Sequence, residues 1–134
     1  MAYVRRTGLR DVRRVLAGSA LAKGDLLQST EATGSETVDN AATNVAVYGV
    51  ALEAIGSAAN GLVDRIHPGD IFDCDTITGT VVASSVGKFG DLVAETTVTL
   101  TNSNNDVRIA GWDGASTGRA YVTFNFSEQV SKLN

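Results

Sequence analysis

Apolar and polar residues alternate strictly along two stretches in the C-terminal third of the chain. The first stretch is Thr97–Thr101, whose two apolar residues fall on one face, and the pattern resumes at Val107–Ile109 after the turn-forming residues 102–105. A period of two is typical of a half-buried β-strand. We therefore predict a β-hairpin whose two strands are Thr97–Thr101 and Val107–Ile109.

A further strand is predicted over Ala120–Phe126, where every second residue is apolar. The pattern turns Val122, Phe124 and Phe126 inward, with polar or half-polar residues between them. Some eight or nine such strands follow one another at short intervals, and no helix long enough for a βαβ crossover is visible. The predicted fold class is all-β, a compact small β-barrel or sandwich.

One phrase, Gly-Asp followed by two apolar residues, occurs three times in the chain. The three copies are Gly24–Leu27, Gly69–Phe72 and Gly90–Val93. Glycine and aspartate are typical of turns, and an apolar pair is typical of the start of a strand. The repetition predicts a scaffold of similar turn-to-strand elements.

Composition limits the size of the core. The chain has 134 residues, of which 43% are hydrophobic but only 6% aromatic. This length fits one domain with a modest core. Because small chains with thin cores often gain stability from subunit contacts, we expect an oligomer.

Charge divides the chain into two parts. Five of its eleven basic residues lie within the first fourteen positions, where Asp11 alone opposes them, although the net charge of the chain is −4. We therefore predict a basic arm over residues 1–18 and a single β-rich domain over residues 19–134. Helical spacing of Leu9, Val12 and Leu16 leaves a short helix and an extended arm as alternatives. The five arginines are Arg5, Arg6, Arg10, Arg13 and Arg14.

The side chains that carry enzyme chemistry are few. His67 is the only histidine and lies in a predicted turn, and Cys74 is the only cysteine and lies between two aspartates. Neither suits a nucleophile–base pair, and one histidine and one cysteine do not make an ordinary zinc site. Asp70, Asp73 and Asp75 are better explained as solvated carboxylates than as a calcium site. We expect no enzyme activity, no metal and no cofactor.

Other partners are also disfavoured by the sequence. No apolar stretch approaches the roughly 20 residues that span a membrane, and an acidic body argues against direct nucleic-acid binding. An export signal is not predicted, because Gly18 and Ser19 interrupt the apolar stretch that follows the arginines. Trp112, Tyr121 and Tyr48 leave a carbohydrate-binding β module, displayed on a virion or cell surface, as the alternative function.

The order of the motifs resembles that of the bacteriophage capsid decoration proteins, also called cement or head-stabilising proteins. The resemblance covers roughly residues 20–127 and includes a polar loop over 29–44. The motifs that carry it are Lys23–Leu26, Gly49–Glu53, Ser57–Gly61, Pro68–Phe72, Gly90–Val93, Gly111–Gly114 and Tyr121–Asn125.

The resemblance implies a structural function at the outer surface of a virion. It implies a β-rich protein, usually a homotrimer, that binds the outside of an assembled head and clamps neighbouring major capsid proteins. It implies no reaction and no cofactor. The basic arm has no counterpart in the resemblance, and we expect its five arginines to contact the capsid or a neighbouring protomer through bidentate bonds to carboxylates.

Overall fold

A computed structural model describes residues 3–29, 37–42, 46–101 and 103–125 of the chain. Within these ranges the regular secondary structure consists of β-strands, apart from a short 3-10 turn at Ala83–Ser85. The ranges contain no helix able to cross a membrane. The strands are β1 (Tyr3–Thr7), β2 (Val12–Ala17), β3 (Leu26–Ser29), β4 (Thr37–Asn40), β5 (Val47–Ala51), β6 (Asn60–Arg65), β7 (Ile71–Cys74), β8 (Ile77–Thr78), β9 (Phe89–Ala94), β10 (Thr97–Thr99), β11 (Val107–Gly111) and β12 (Ala120–Phe124).

The strands form two units, a closed barrel and an open sheet. The barrel has the order β2-β4-β3-β5-β6, with β2 and β4 parallel and the other pairs antiparallel. The sheet has seven strands in the order β1-β7-β12-β11-β9-β10-β8. Because β1 pairs with β7, the whole barrel is inserted between two neighbouring strands of the sheet. The predicted all-β class is confirmed.

Residues 3–17 contribute one strand to the sheet and one strand to the barrel. The sequence predicted a basic arm over residues 1–18, with a short helix or an extended chain as alternatives. The structure instead places Tyr3–Thr7 in the sheet, against β7, and Val12–Ala17 in the barrel, between β4 and β6. The predicted boundary between residues 18 and 19 falls between two barrel strands. The helical spacing was misleading because alternate residues of β2, Val15 and Ala17, are the buried ones.

Two of the three Gly-Asp phrases close turns that lead into a strand. In the turn Ala22–Asp25, the aspartate N–H donates to the alanine carbonyl at 3.1 Å, and the aspartate carboxylate accepts the alanine N–H at 2.9 Å. The turn His67–Asp70 repeats both bonds at the same distances. The glycine in third position has φ of +88° in one turn and +89° in the other, a conformation that suits glycine.

The third Gly-Asp phrase lies inside a strand. Gly90 is the second residue of β9, and the Asp91 carboxylate accepts the N–H groups of Ser103 and Asn104 at 2.7 and 2.8 Å. The buried Asp106 carboxylate in turn accepts the Leu92 N–H at 2.9 Å. These bonds hold the segment after β10 against β9.

This arrangement corrects the predicted hairpin. Thr97–Thr99 pairs with β9 and β8, whereas Val107–Gly111 pairs with β12 and β9. Alternation identified the buried residues Val98 and Ile109 correctly, because it specifies which face is buried. It does not specify the partner strand. The predicted polar loop over 29–44 also contains a barrel strand, Thr37–Asn40, while residues 30–36 and 43–45 lie outside the described ranges.

Apolar side chains form two buried clusters. One fills the barrel and includes Val15, Leu27, Val38 and Val63. The other lies between the barrel and the inner face of the sheet, because it contains residues of both units. Its members include Tyr3, Leu26, Val50, Phe72, Leu92, Ile109, Val122 and Phe124. The inner face of the sheet is therefore covered by the barrel, and its outer face is left to solvent.

Phe124 gives a direct test of the packing on the inner face of the sheet. Its side chain is 4% exposed, with ring centroids 5.9 Å from Tyr3 and 6.0 Å from Phe72. We predict that Phe124→Ala lowers the free energy of unfolding by about 3–5 kcal/mol, because it leaves a cavity among these rings. Chemical denaturation measures the loss. Thr123→Ala, on the opposite face of β12, is the matched control, and equal stability of the two variants would contradict the predicted register.

Candidate docking surfaces

Arg5 is buried and paired. Its Nε and Nη2 atoms contact the two carboxylate oxygens of Asp64 at 2.7 and 2.9 Å, and its Nη1 lies 2.9 Å from Asp70. The guanidinium also lies 4.9 Å from the centroid of the Phe72 ring. Only 7% of the Arg5 side chain is exposed, so this arginine joins β1 to the barrel and cannot reach a partner.

Asp64 holds the loop between β1 and β2 as well. It is 1% exposed, accepts the Asp11 N–H at 3.2 Å and lies 3.8 Å from Arg10 Nε. The hydrogen bonding of Arg5 to the Asp64 carboxylate, which accepts, is the main reason that the pKa of Arg5 is raised, so Arg5 stays charged. The Arg10 side chain is 58% exposed and, with Lys23, flanks a depression of about 210 Å³ where β1 meets the barrel.

Arg13 belongs to a surface cluster around Asp11. The Asp11 carboxylate accepts a hydrogen bond from Arg13 Nε at 2.9 Å and lies 2.6 Å from His67 Nε2. His67 lies in a turn, as predicted, and its side chain is 49% exposed. The bond from Arg13, and after it the one from His67, holds the pKa of Asp11 at about 2. This cluster ties the start of β2 to the turn before β7.

Arg14 lies on the outside of the barrel. Val12, Arg14 and Leu16 alternate with the buried residues of β2, and Leu62 is the register partner of Arg14 on β6. The apolar members are 37–47% exposed. We call Val12, Arg14, Leu16 and Leu62 the barrel face. It is an apolar patch with one cation at its centre.

Arg6 lies on the outer face of the sheet, where it stacks on an aromatic ring. Its guanidinium carbon is 4.1 Å from the centroid of the Tyr121 ring. The same ring packs beside Gly111, the register partner of Tyr121, where an added Cβ would lie 3.0 Å from a ring carbon. Two strands and the cation above them thus enclose the ring. Beside it, Arg119 pairs with Asp73.

Arg108 lies farther across the same face. Its register partners are Thr123 on β12 and Phe89 on β9, and Phe89 is 37% exposed. Pro68 and Asn125 complete a depression of about 280 Å³ around it. We call the outer side of the sheet the sheet face, with Val4, Arg6, Asp73, Tyr121, Thr123, Arg108 and Phe89 as its members.

The structure therefore separates the five predicted arginines. Arg5 and Arg10 meet at Asp64, Arg13 binds Asp11, Arg14 lies on the barrel face and Arg6 on the sheet face. Sequence reasoning missed that Arg108 and Phe89 share the sheet face with Arg6. Alternation predicts that Arg108 points outward. The position of Arg108 beside β12 and β9 depends on strand pairing, which alternation does not specify.

The other singled-out side chains have structural contacts. Asp70 binds Arg5 and Asp73 binds Arg119, and no group of three potential metal ligands occurs among the described residues. Burial is the main reason that the pKa of the Cys74 thiol is raised, and the charge of Asp75 acts in the same direction. Of the two aspartates that flank Cys74 in the sequence, Asp75 thus raises the pKa of the thiol, as a smaller cause than burial.

The three rings considered for carbohydrate binding lie apart. Tyr48 is buried in the barrel cluster, Trp112 packs against the core between the two units, and Tyr121 lies on the outer side of the sheet beneath Arg6. The Trp112 indole also donates to the Ser116 carbonyl at 2.6 Å. These rings do not share one platform.

Comparison with known proteins identifies a fold neighbour. No family model and no curated protein matches the chain. Among solved structures, the chain is similar to the N-terminal base of head fiber gp8.5 of bacteriophage phi29, with a TM-score of 0.61 and 16% sequence identity. The similarity covers 87% of this chain and 95% of that one. The two proteins share a fold over nearly their whole lengths.

Replacing Arg5 tests its structural role. We predict that Arg5→Met lowers the free energy of unfolding by about 3–5 kcal/mol, because the Asp64 charge is then buried without its partner. Arg14→Met, at an exposed position, should change stability by less than about 0.5 kcal/mol. Urea denaturation compares the two variants. Replacing Asp64 with Leu in the Arg5→Met background should recover part of the loss, and no difference between Arg5→Met and Arg14→Met would refute the buried pair.

The Asp11 cluster predicts a pH dependence. The pKa of Asp11 is about 2 in the folded protein, below the value of about 3.9 expected in the unfolded chain. The ionised carboxylate therefore stabilises the fold above about pH 4, and this contribution is lost as the pH falls toward 2. Asp11→Asn should weaken that loss of stability relative to wild type in urea denaturation over this range. Asp75→Asn, which removes an exposed carboxylate outside the Asp11 cluster, is the control and should keep the Asp11 contribution.

Proposed function

We propose that the chain is a structural protein of a phage head, which binds the outside of the assembled capsid and stabilises it by clamping neighbouring major capsid proteins. The observation that carries the proposal is the shared fold with the base of a phage head fiber, over 87% of this chain and 95% of the other. The order of motifs that resembles the capsid decoration proteins points in the same direction and depends on the sequence alone.

The contacts of the buried carboxylates support a structural role for the protein. The carboxylates of Asp25, Asp70, Asp91 and Asp106 are buried and accept backbone N–H groups of turns and loops. Asp64 neutralises the buried Arg5. These are the groups from which an acid–base or metal site would be built, and here each one fixes a connection. The proposal accordingly includes no reaction, no cofactor and no direct contact with nucleic acid or membrane.

Stabilisation follows from selective binding. A protein that binds the assembled lattice, but not its dissociated or unexpanded subunits, shifts the equilibrium toward the assembled state by mass action. We propose that the chain acts as a homotrimer, so that several weak contacts engage the shell together and the combined affinity exceeds that of each one. Neighbouring capsid proteins bridged by one trimer would separate less readily.

In this proposal the contacts to the capsid come from β1, β2 and the loop between them, and not from a basic arm that becomes ordered on binding. Of the five arginines, Arg6, Arg10 and Arg14 are exposed on the surface. Their positions are set before binding, because each belongs to β1, β2 or the loop between them. Binding through these residues would not require an arm to become ordered, and it would lose less conformational entropy.

Co-sedimentation with heads tests the proposal. We expect the full chain to pellet saturably with purified, expanded heads that lack it, and to raise the temperature at which those heads break open. Isolated capsid subunits and unexpanded heads are the controls and should bind much less. Light scattering should give the mass of three chains. Heads that bind no more than the controls would refute capsid binding, and a monomer both free and on heads would refute the trimer.

A further inference from the structure

We propose that the sheet face binds an extended acidic segment of a protein partner, with Arg6 and Arg108 each holding one carboxylate. The inference deepens the proposed function, because it names the docking surface and the chemistry of the partner. It rests on the proposed function only for the identity of that partner, the major capsid protein.

The charge on the sheet face favours an acidic partner. Arg6 and Arg108 are exposed, and neither forms a salt bridge with any described residue. Asp73 is the acidic member of the sheet face and is already paired with Arg119. The face therefore carries excess positive charge on a chain whose net charge is −4. Opposite charges steer association, so a carboxylate-bearing surface is the complementary partner.

Arg6 is held in place before a partner binds. The Tyr121 ring packs beside Gly111 and supports the Arg6 guanidinium at 4.1 Å. Stacking occupies the flat side of a guanidinium and leaves the N–H groups at its edge free to point outward. Those donors match the two oxygens of a carboxylate. A cation fixed by stacking loses less side-chain freedom when it binds.

Apolar surface adjoins both Arg6 and Arg108. Val4 on β1 is 45% exposed, and Phe89 on β9 is 37% exposed beside Arg108. Apolar contacts here would exclude water from the ion pairs and strengthen them by lowering the local dielectric constant. The depression around Arg108, lined by Phe89, Pro68 and Thr123, has room for one side chain next to the guanidinium.

The spacing of the two arginines defines the segment. Arg6 lies on β1 and Arg108 on β11, with β7 and β12 between them. Three strand-to-strand steps give a separation of roughly 14 Å, which an extended chain covers in about four residues. The best match is therefore a segment that crosses the strands and carries acidic residues about four positions apart. A nucleic acid is a poorer match, because the net negative charge of the chain repels a polyanion.

Paired variants test the sheet face with heads as the partner. Arg6→Gln with Arg108→Gln should weaken binding to purified heads about tenfold or more at low salt and reduce its salt dependence. Arg10→Gln with Arg14→Gln removes the same charge from other surfaces and should weaken binding by a clearly smaller factor. Urea denaturation should show equal stability for both pairs, because the four side chains are exposed.

Further outcomes separate this inference from the proposed function. If wild-type protein binds heads and the Arg6/Arg108 variant binds equally well, the sheet face is not the docking surface, although the proposed function stands. If that variant binds heads normally but dissociates as an oligomer, the face contacts a second copy of the chain, and the inference is overturned.

A peptide titration decides the inference if heads are not bound at all. The probe is a soluble twelve-residue peptide with glutamates four positions apart, and a lysine-substituted peptide of the same length is its control. NMR resonances of the Arg6 and Arg108 side chains and of Tyr121 should shift with the acidic peptide only. Tyr121→Leu, which keeps both charges but removes the ring, should weaken the effect at Arg6. No shift, or equal shifts with both peptides, would overturn the inference.

Discussion

The buried ion pair between Arg5 and Asp64 holds the barrel against the sheet. β1 opens the sheet, the next five strands build the barrel, and the sheet resumes with β7. The placement of β1 therefore depends on its contact with β6, the last barrel strand, where Arg5 donates hydrogen bonds to both carboxylate oxygens of Asp64. Such a pair adds little net stability compared with an apolar pair of equal volume, but losing one partner is costly. The cost of separating Arg5 from Asp64 therefore disfavours any arrangement in which β1 moves away from β6.

Buried carboxylates also fix the connections between strands. The turns at Ala22–Asp25 and His67–Asp70 use the same pair of reciprocal bonds, and Asp91 and Asp106 hold the segment between β10 and β11. A carboxylate that accepts backbone N–H groups satisfies donors that would otherwise be buried without partners. A chain with few aromatic residues thereby obtains well-defined loops from local hydrogen bonds.

The same strands decide which arginines remain available to a partner. Neighbouring residues of a strand point to opposite faces, so β1 sends Arg5 into the molecule and Arg6 to its surface. The barrel covers the inner face of the sheet, and the outer face carries Arg6 and Arg108 without acidic partners among the described residues. A surface that is fixed by strand pairing presents the same geometry in every copy of the chain, which would suit the proposed attachment to a regular shell.

Sequence alone determined the all-β class, the turns at two Gly-Asp phrases and the buried face of β12, because these depend on local conformation and on a period of two. It did not determine the pairing of β10 with β9, or the inclusion of residues 3–17 in the sheet and barrel. Nor did it bring Arg6 and Arg108 onto one face. A cluster of arginines near one end of a chain is typical of a solvated arm, and nothing local to Arg5 shows that Asp64, 59 positions away, neutralises it. Only the tertiary structure decided these points, because strand partners and buried charge pairs are selected by contacts between segments far apart in the sequence.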